Sequence, residues 1–496
     1  MKKLLTGILT LGLSLSLFAC SKSNSSTPTT TKDSTTTERT TYRNDKEKNL
    51  MPRIDIVSND GKTDFATVPT RTNKWDYTDC TVSVKDGSEL KIDSVAAGVK
   101  VRGNWTTEYP KKPLRIKFDK KQSILGLNEG QKFKSWLLLA AFKDWSMLRD
   151  ATAFEIAKIL GNEYSSDYKF VNVYINNQYW GVYLLCEQQE VKDGRVSITE
   201  VEKNYEGTDI GYFLEFDGYY DEEPELETFE INYKTLTAYN GDSYLGSKFQ
   251  KGFTIKSDIY SQAQNTFIKN YMQTAFDICY EAIYNNNYYE FTTDYQDKTA
   301  SALTNSKDVV SKVVDIDSIV NTYILSEIAC DTDLAWSSFF MDVDFGANGD
   351  KKLRFEAPWD FDSSFGNTLG CVNAEGLYAA NIFNDVHDEP SANPWLLLFM
   401  KADWFRKLVK DKWTSLIEAK AFDSVLENIK TISTTYEGDF IENYNKWDNL
   451  GNKSYFWIEF DKSEAGRAKT YMEAVKALST WLTKRINNLT QIFNTF

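Results

Sequence analysis

The sequence predicts an α+β protein with a sheet-rich first part and a mainly helical second part, and three observations carry that expectation. From Arg53 to Lys117, short β-rich runs are broken by Asn-Asp-Gly and Asp-Gly turns. Beyond Gln262 the apolar residues recur at helical spacing. The C-terminal stretch carries Trp, Phe and Leu on that same period as far as Trp481 to Phe493.

Taken in order, the chain opens with Lys2 and Lys3, an apolar stretch from Leu4 to Phe18, and Ala19-Cys20, the layout of a secretory signal over residues 1–19. The stretch is too short to span a bilayer permanently. Leu17-Phe18-Ala19-Cys20 resembles a bacterial lipobox, and that resemblance implies cleavage before Cys20 and lipidation of its thiol. The expected location is outside the cytoplasm, anchored through Cys20 to the bacterial membrane. From Ser21 to Thr41 nearly every residue is Ser, Thr, Asn, Lys or Pro, too little apolar surface to offset the entropy of ordering, so residues 20–48 read as a lipidated, disordered tether. Roughly 440 residues remain, more than one hydrophobic core usually serves. They divide into a sheet-rich lobe, 49–200, and a mainly helical lobe, 201–496.

In the first lobe Cys80 to Lys85 and Leu90 to Ile92 read as strands. Ser146 is expected to cap a helix with Leu148, Ala151 and Ile159 on its apolar stripe and Gly161 as its stop. Strands Phe170 to Ile175 and Tyr179 to Cys186 follow, joined through Asn176-Asn177-Gln178 as a tight hairpin. The acidic run Asp217 to Glu230 marks 215–250 as a solvated insertion. Further strands are expected near Ser338 to Val343 and Leu353 to Glu356. No internal repeat is present.

Composition excludes several functions. A net charge of -14 argues against a nucleic-acid partner, whose phosphates need surplus Lys and Arg. His387 is the only histidine, which removes H-E-x-x-H metalloproteases and most hydrolases built on a catalytic His. Cys80, Cys186, Cys279, Cys330 and Cys371 show no C-x-x-C spacing, so neither a disulfide framework nor a zinc site is expected. Gly241 to Lys248 is a near-miss phosphate loop with Ser and Lys reversed and no strand before it, and it reads as a surface loop. Chemistry must run on carboxylates, lysines and metal.

Four segments stand out. They are Val101-Arg102-Gly103-Asn104 with Pro110-Lys111-Lys112-Pro113-Leu114-Arg115-Ile116-Lys117-Phe118; Trp145-Ser146-Met147-Leu148-Arg149-Asp150; Asn172 to Glu187; and Pro358-Trp359-Asp360-Phe361-Asp362 with Phe365-Gly366-Asn367. In this order and spacing the set resembles the spore-coat protein H (CotH) kinase family. The resemblance implies an atypical protein-kinase-like fold using ATP and Mg²⁺ or Mn²⁺, and phosphorylation of Ser/Thr-containing protein substrates.

Phosphoryl transfer needs a cation on the phosphates, oxygen ligands for the metal and a carboxylate that orients the attacking hydroxyl. Asp360 and Asp362 share a face if extended, and as hard donors they suit Mg²⁺ or Mn²⁺. Asp333 is the expected orienting carboxylate. The family pattern there is Asn-x-Asp with Asp331 standing at the Asn, which keeps Asp331 as the alternative. Lys117, on an alternating strand, is the expected phosphate lysine with Glu155 as its helix partner, and Lys112 competes for that role. Arg102 sits in a Gly-containing turn able to cover phosphates. Glu187 ends a strand where a kinase chain passes the adenine, and Arg149, in a helix first turn, reaches a phosphate or locks a carboxylate. The competing function is a catalytically silent adhesion or glycan-binding surface lipoprotein, motivated by the 14% aromatic content.

Overall fold

A computed structural model describes residues 41–68, 76–249, 251–331, 333–367, 372–384, 389–451 and 465–496. Residues 41–496 form one compact unit with both sheets and helices, as the α+β expectation requires. Residues 20–40 of the tether, Cys20 among them, lie outside the described residues, as do Cys371 and His387.

The sheet-rich beginning closes on itself. Strands β1 (Arg53–Ser58), β2 (Thr78–Asp86), β3 (Glu89–Val101), β4 (Leu114–Gln122), β5 (Phe133–Leu139), β6 (Tyr168–Ile175) and β7 (Gln178–Glu187) make a barrel in the order β1-β2-β3-β4-β5-β7-β6. All neighbours are antiparallel except β1 and β6, which close the barrel in parallel with Arg53 opposite Asn172. Alternate residues point inward, so Ile54, Ile56, Val82, Val84, Val99, Val101, Leu114, Ile116, Val171 and Val173 fill the interior as a core of their own. The expected hairpin forms with Asn176 and Asn177 at φ 49° and 63°, the left-handed pair that suits the twist of a two-residue turn. Gly181 on β7 has φ 125°, and a Cβ there would meet Asn443 Oδ1 at 2.7 Å, so only glycine lets helix α8 (Glu437–Trp447) approach this strand.

Between β5 and β6 lies α1 (Arg149–Leu160), which stops at Gly161 in the left-handed conformation as expected. Its start is corrected. Ser146 is not the cap; Asp144 bonds the exposed backbone donors instead, accepting from Ser146 N at 2.8 Å and Arg149 N at 2.9 Å.

The second part is less helical than predicted. It contains a five-stranded antiparallel sheet in the order Arg354–Phe355, Phe339–Asp344, β8 (Gly211–Asp217), Gly252–Ile255, Thr228–Phe229. β8 is its central strand, so the expected solvated insertion begins inside a buried strand, with Glu215 ion-paired to Lys256 at 2.8 Å and Asp217 accepting from Thr254 Oγ1 at 2.9 Å. A strand buried on both faces, its acids included, lacks the inside–outside alternation by which a strand is recognised. The near-miss phosphate loop is a largely exposed turn, as expected.

Around this sheet pack α2 (Gln262–Tyr280), α3 (Ser306–Val313), α4 (Ile316–Ala329), α5 (Pro394–Met400), α6 (Asp403–Glu418), α7 (Ala421–Thr435), α8 and α9 (Tyr471–Phe493). Trp136, Trp145, Trp395 and Trp413 are among the largest fully buried side chains, which accounts for much of the aromatic content by packing. Residues 42–51, whose first part was assigned to the tether, lie on α8: Tyr42 N donates to Asn445 Oδ1 at 2.8 Å, and Leu50 N donates to Asp439 Oδ2 at 3.0 Å. Cys330 is disulfide-bonded, a correction to the cysteine expectation, while Cys80, Cys186 and Cys279 are free and buried. No helix among the described residues is long and apolar enough to cross a membrane.

α4 is anchored by charge. Glu327 and Arg485 on α9, both fully buried, pair at 2.9 Å, and Glu327 also accepts from Tyr323 Oη at 3.0 Å, Tyr378 N at 2.7 Å and Ala380 N at 3.0 Å. Removing the guanidinium leaves a buried carboxylate surrounded by packing. Arg485→Met should lower the unfolding free energy by about 3–5 kcal/mol, read as a drop in the urea midpoint.

Candidate active site

Three segments distant in sequence meet at one place. They are the stretch from Lys143 to Asp150, which runs from the β5–α1 loop into the first turn of α1; Cys330, Asp331 and Asp333 after α4; and the turn Asp360 to Asn367 after strand Arg354–Phe355. Arg149 joins the first to the third. Its side chain, 1% exposed, pairs with Asp144 through Nη1 and donates from Nε to Ser364 O at 3.0 Å. Asp150 adds a second tie by accepting from Phe361 N at 2.8 Å. The third segment joins α4 through Phe365 N, which donates to Ala329 O at 2.7 Å, and Ser364 Oγ, 3.5 Å from Asp331 Oδ1. Asn367 Nδ2 closes the turn by donating to Asp362 O at 2.6 Å.

The result is a concentration of buried acid. Asp150, Asp331, Asp333, Asp360 and Asp362 all hold their protons more tightly than ordinary carboxyls, and desolvation by burial is the largest cause for each. Asp331 and Asp360 are pushed up to about 7. Like charge adds to burial: Asp360 raises Asp333, and Asp362 raises Asp360. Cations oppose it, Arg149 acting on Asp362 among them. Lys143, which also donates to Ser363 Oγ, favours the ionised forms of Asp333, Asp360 and Asp362, and Arg102 favours that of Asp360. Arg102 reaches this place from the end of β3, with its guanidinium 5.4 Å from the Trp359 ring centroid.

Carboxylates crowded in low dielectric fit a hard divalent cation by donor chemistry, since the ion relieves the repulsion that otherwise keeps them protonated. Among the described residues no group of three or more Asp, Glu, Cys or His side chains converges as a complete ligand set. Mg²⁺ commonly takes only one or two carboxylates and completes its shell with phosphate oxygens and water, so Asp360 and Asp362 suffice as the protein's share. Asp360 has φ 65°, the left-handed region, in a turn rather than the extended strand that would align i and i+2.

The structure sorts the residues singled out from sequence. Asp331, Asp333, Asp360 and Asp362 are brought together, and Arg102 faces them. Asp331 acts locally, accepting from Asp333 N at 3.0 Å, which shapes the turn carrying Asp333. Arg149 is in place but directs its donors to protein oxygens, the carboxylate lock of the two expected alternatives. The remaining residues lie elsewhere or are engaged with other groups. Lys112 is buried, with Nζ donating to Thr107 O and, at 3.0 Å, to Tyr109 O. Lys117 is exposed on the outer face of β4, with its ammonium 5.9 Å from the Tyr77 ring centroid. Glu155 lies on α1 beside Tyr168 and against α7. No ion pair joins Lys117 to Glu155 among the described residues, because strand and helix present these side chains to different surroundings. Glu187 is buried in a network, accepting from Arg195 Nε at 3.1 Å, Asn128 Nδ2 at 2.5 Å and Asp167 N at 3.0 Å. Lys143 and Asp150 were missed as site residues. Asp150 ends the Trp145 to Asp150 segment that was singled out but was given no role, and Lys143 lies two residues before it.

The family model described as CotH kinase protein matches residues 99–489. No curated protein matches the chain.

The buried carboxyls set the pH dependence of the metal-free protein. Their folded pKa values lie above the unfolded ones, so the folded state binds more protons and stability falls as pH rises from about 4 to about 7. Denaturant titrations in EDTA should show a loss of at least ~2 kcal/mol across that window. Mg²⁺ or Mn²⁺ should restore more at pH 7.5 than at pH 5; equal effects at both would remove the carboxylates as its ligands.

Proposed function

Because the chain belongs to the CotH kinase protein family, we propose that it transfers the γ-phosphate of ATP to Ser or Thr hydroxyls of a protein substrate. The barrel and the helix-covered second sheet then serve as the two lobes of an atypical protein-kinase-like fold. The observation that carries the reading is the convergence of Asp333, Asp360 and Asp362 with Lys143 and Arg102, the acid and cation inventory that phosphoryl transfer requires.

Asp360, with Asp362 beside it, is the holder of Mg²⁺ or Mn²⁺. A divalent ion bound there neutralises charge on the nucleotide's phosphates. Lys143 and Arg102 face the phosphoryl group as it leaves ADP. Asp333 orients the acceptor hydroxyl and takes its proton as the new oxygen–phosphorus bond forms and the bond to the β-phosphate oxygen breaks. Asp333 is held protonated in part by Asp360, so neutralising Asp360 also frees Asp333 to act as a base. Asp331 and Asp150 hold the turns, and Arg149 with Asp144 holds the loops against each other.

The layout of Lys2 to Cys20 supports export and lipid attachment at Cys20, with Ser21 to Thr40 as the tether from the membrane. An exported kinase requires nucleotide on its own side of the membrane. The aromatic content favours the adhesion reading less, since among the described residues many aromatic side chains are buried in the core.

Radiolabelled ATP with Mg²⁺ or Mn²⁺ should label protein when incubated with the wild type. Asp333→Ala should lower the rate by about 10²- to 10⁴-fold. Asp360→Ala should abolish the stabilisation by ATP plus metal in a thermal-shift assay. A wild type that neither transfers label nor responds to nucleotide rejects the proposal.

A further inference from the structure

The chain is acidic overall, yet it gathers cations on one outward face of the barrel. β3 and β4 direct Val99, Val101, Leu114 and Ile116 inward, and on the opposite face they carry Lys100, Arg102, Arg115 and Lys117. The register is fixed: Lys100 lies opposite Arg115, Gly98 opposite Lys117, and Arg102 N donates to Pro113 O at 3.0 Å. Like charges directly opposite on paired strands are unfavourable, and this ladder retains such a pair at its centre.

Acidic and aromatic groups surround that pair. Lys100 is pushed down to about 8, by burial first and then by Arg115, Arg102 and Lys117, with Asp76 acting in the other direction. Glu190 acts on Arg115 from the segment after β7, but it is itself paired with Arg195 at 2.7 Å. Arg115 donates from Nη2 to Ser135 Oγ at 3.3 Å, while its Nε is buried without a partner. The Tyr77 ring lies beside both lysines, 5.0 Å from Lys100 Nζ and 5.9 Å from Lys117 Nζ.

The row has a direction. Its Arg102 end abuts Trp359 and Asp360. Its Lys117 end lies across from Gly98, four residues back along β3, about 13 Å away at ~3.3 Å per residue. That is the reach of about four residues of extended peptide.

We propose that Lys100, Arg115 and Lys117 form a binding track for the acceptor, and that the preferred acceptor is a peptide already carrying phosphoserine about four residues from its target hydroxyl. The inference rests on the phosphotransfer reading above and names its substrate class. Such an acceptor is the product of an earlier turnover on a serine run, so the track would make successive phosphorylations on one chain favourable. A phosphate dianion meets the guanidinium and ammonium groups with charge-assisted hydrogen bonds and relieves the cross-strand repulsion.

The test compares fluorescein-labelled Ser/Gly peptides, with and without one phosphoserine four residues from a second serine, titrated by anisotropy against the full chain. Binding of ATP plus Mg²⁺ is followed separately by thermal shift. The wild type should bind the phosphopeptide at least 10-fold more tightly at low salt. Arg115→Gln/Lys117→Gln should lose that preference while its response to ATP plus Mg²⁺ is unchanged. Lys117→Glu, at an exposed position, reports the same loss should the double variant fold poorly. Equal binding of both peptides by the wild type overturns the proposal. So does a variant that loses the nucleotide response and keeps the peptide preference, which would assign these cations to ATP. A wild type that prefers the phosphopeptide but ignores nucleotide rejects phosphotransfer and leaves the track standing.

Discussion

The arrangement of the site depends on one buried ion pair, Arg149 with Asp144. Both side chains are 1% exposed. A pair this deep is stabilising only when every remaining donor is satisfied. Here Arg149 meets that condition by donating to Ser364 O and Phe365 O, and Asp144 by accepting from the backbone at Ser146 and Arg149. The residues that satisfy the charge are therefore the residues that join the β5–α1 loop to the turn holding Asp360 and Asp362. Losing either partner would strand a charge in the interior, and losing Arg149 would also remove the tie to Ser364 O. Arg149 is thus central to the site while directing these donors to protein oxygens.

On that frame the protein holds more negative charge than burial favours. Lys143 and Arg102 oppose the aspartates but do not balance them, and the carboxyls respond by keeping their protons. The charge that would relieve this crowding is a cation, the part that the proposed reaction assigns to a divalent metal ion. The face of β3 and β4 is of the opposite sign, with Lys100 and Arg115 directly opposed. The two surfaces meet at Arg102 and Asp360.

Much of this was legible in short-range pattern. Asp360-Phe361-Asp362 and Asp331-Thr332-Asp333 could be singled out because each pair is close in sequence and its chemistry is carried by residue type. The Asn176-Asn177 turn and the Gly161 helix stop were legible because left-handed backbone restricts the residues allowed. Lys117 with Glu155 failed because a helical stripe and a strand alternation say which face a side chain occupies, not what covers that face. Lys143 carried no periodic or compositional mark. Strand β8 was hidden because burial on both faces erases alternation.

The sequence by itself determined the class of the protein: a charged, nearly histidine-free body with its acid pairs in a recognisable order. Those properties are local, set by composition, turn chemistry and near-neighbour spacing. Only the tertiary structure decided that the first strands close into a barrel, that Lys143 rather than Lys112 or Lys117 faces the aspartates, and that Arg149 is turned inward. Each of these depends on contacts between residues far apart in the chain, such as Arg149 with Ser364 and Arg53 with Asn172. Such contacts are chosen by which buried charges and backbone groups can satisfy one another in three dimensions, and no window of sequence contains both partners.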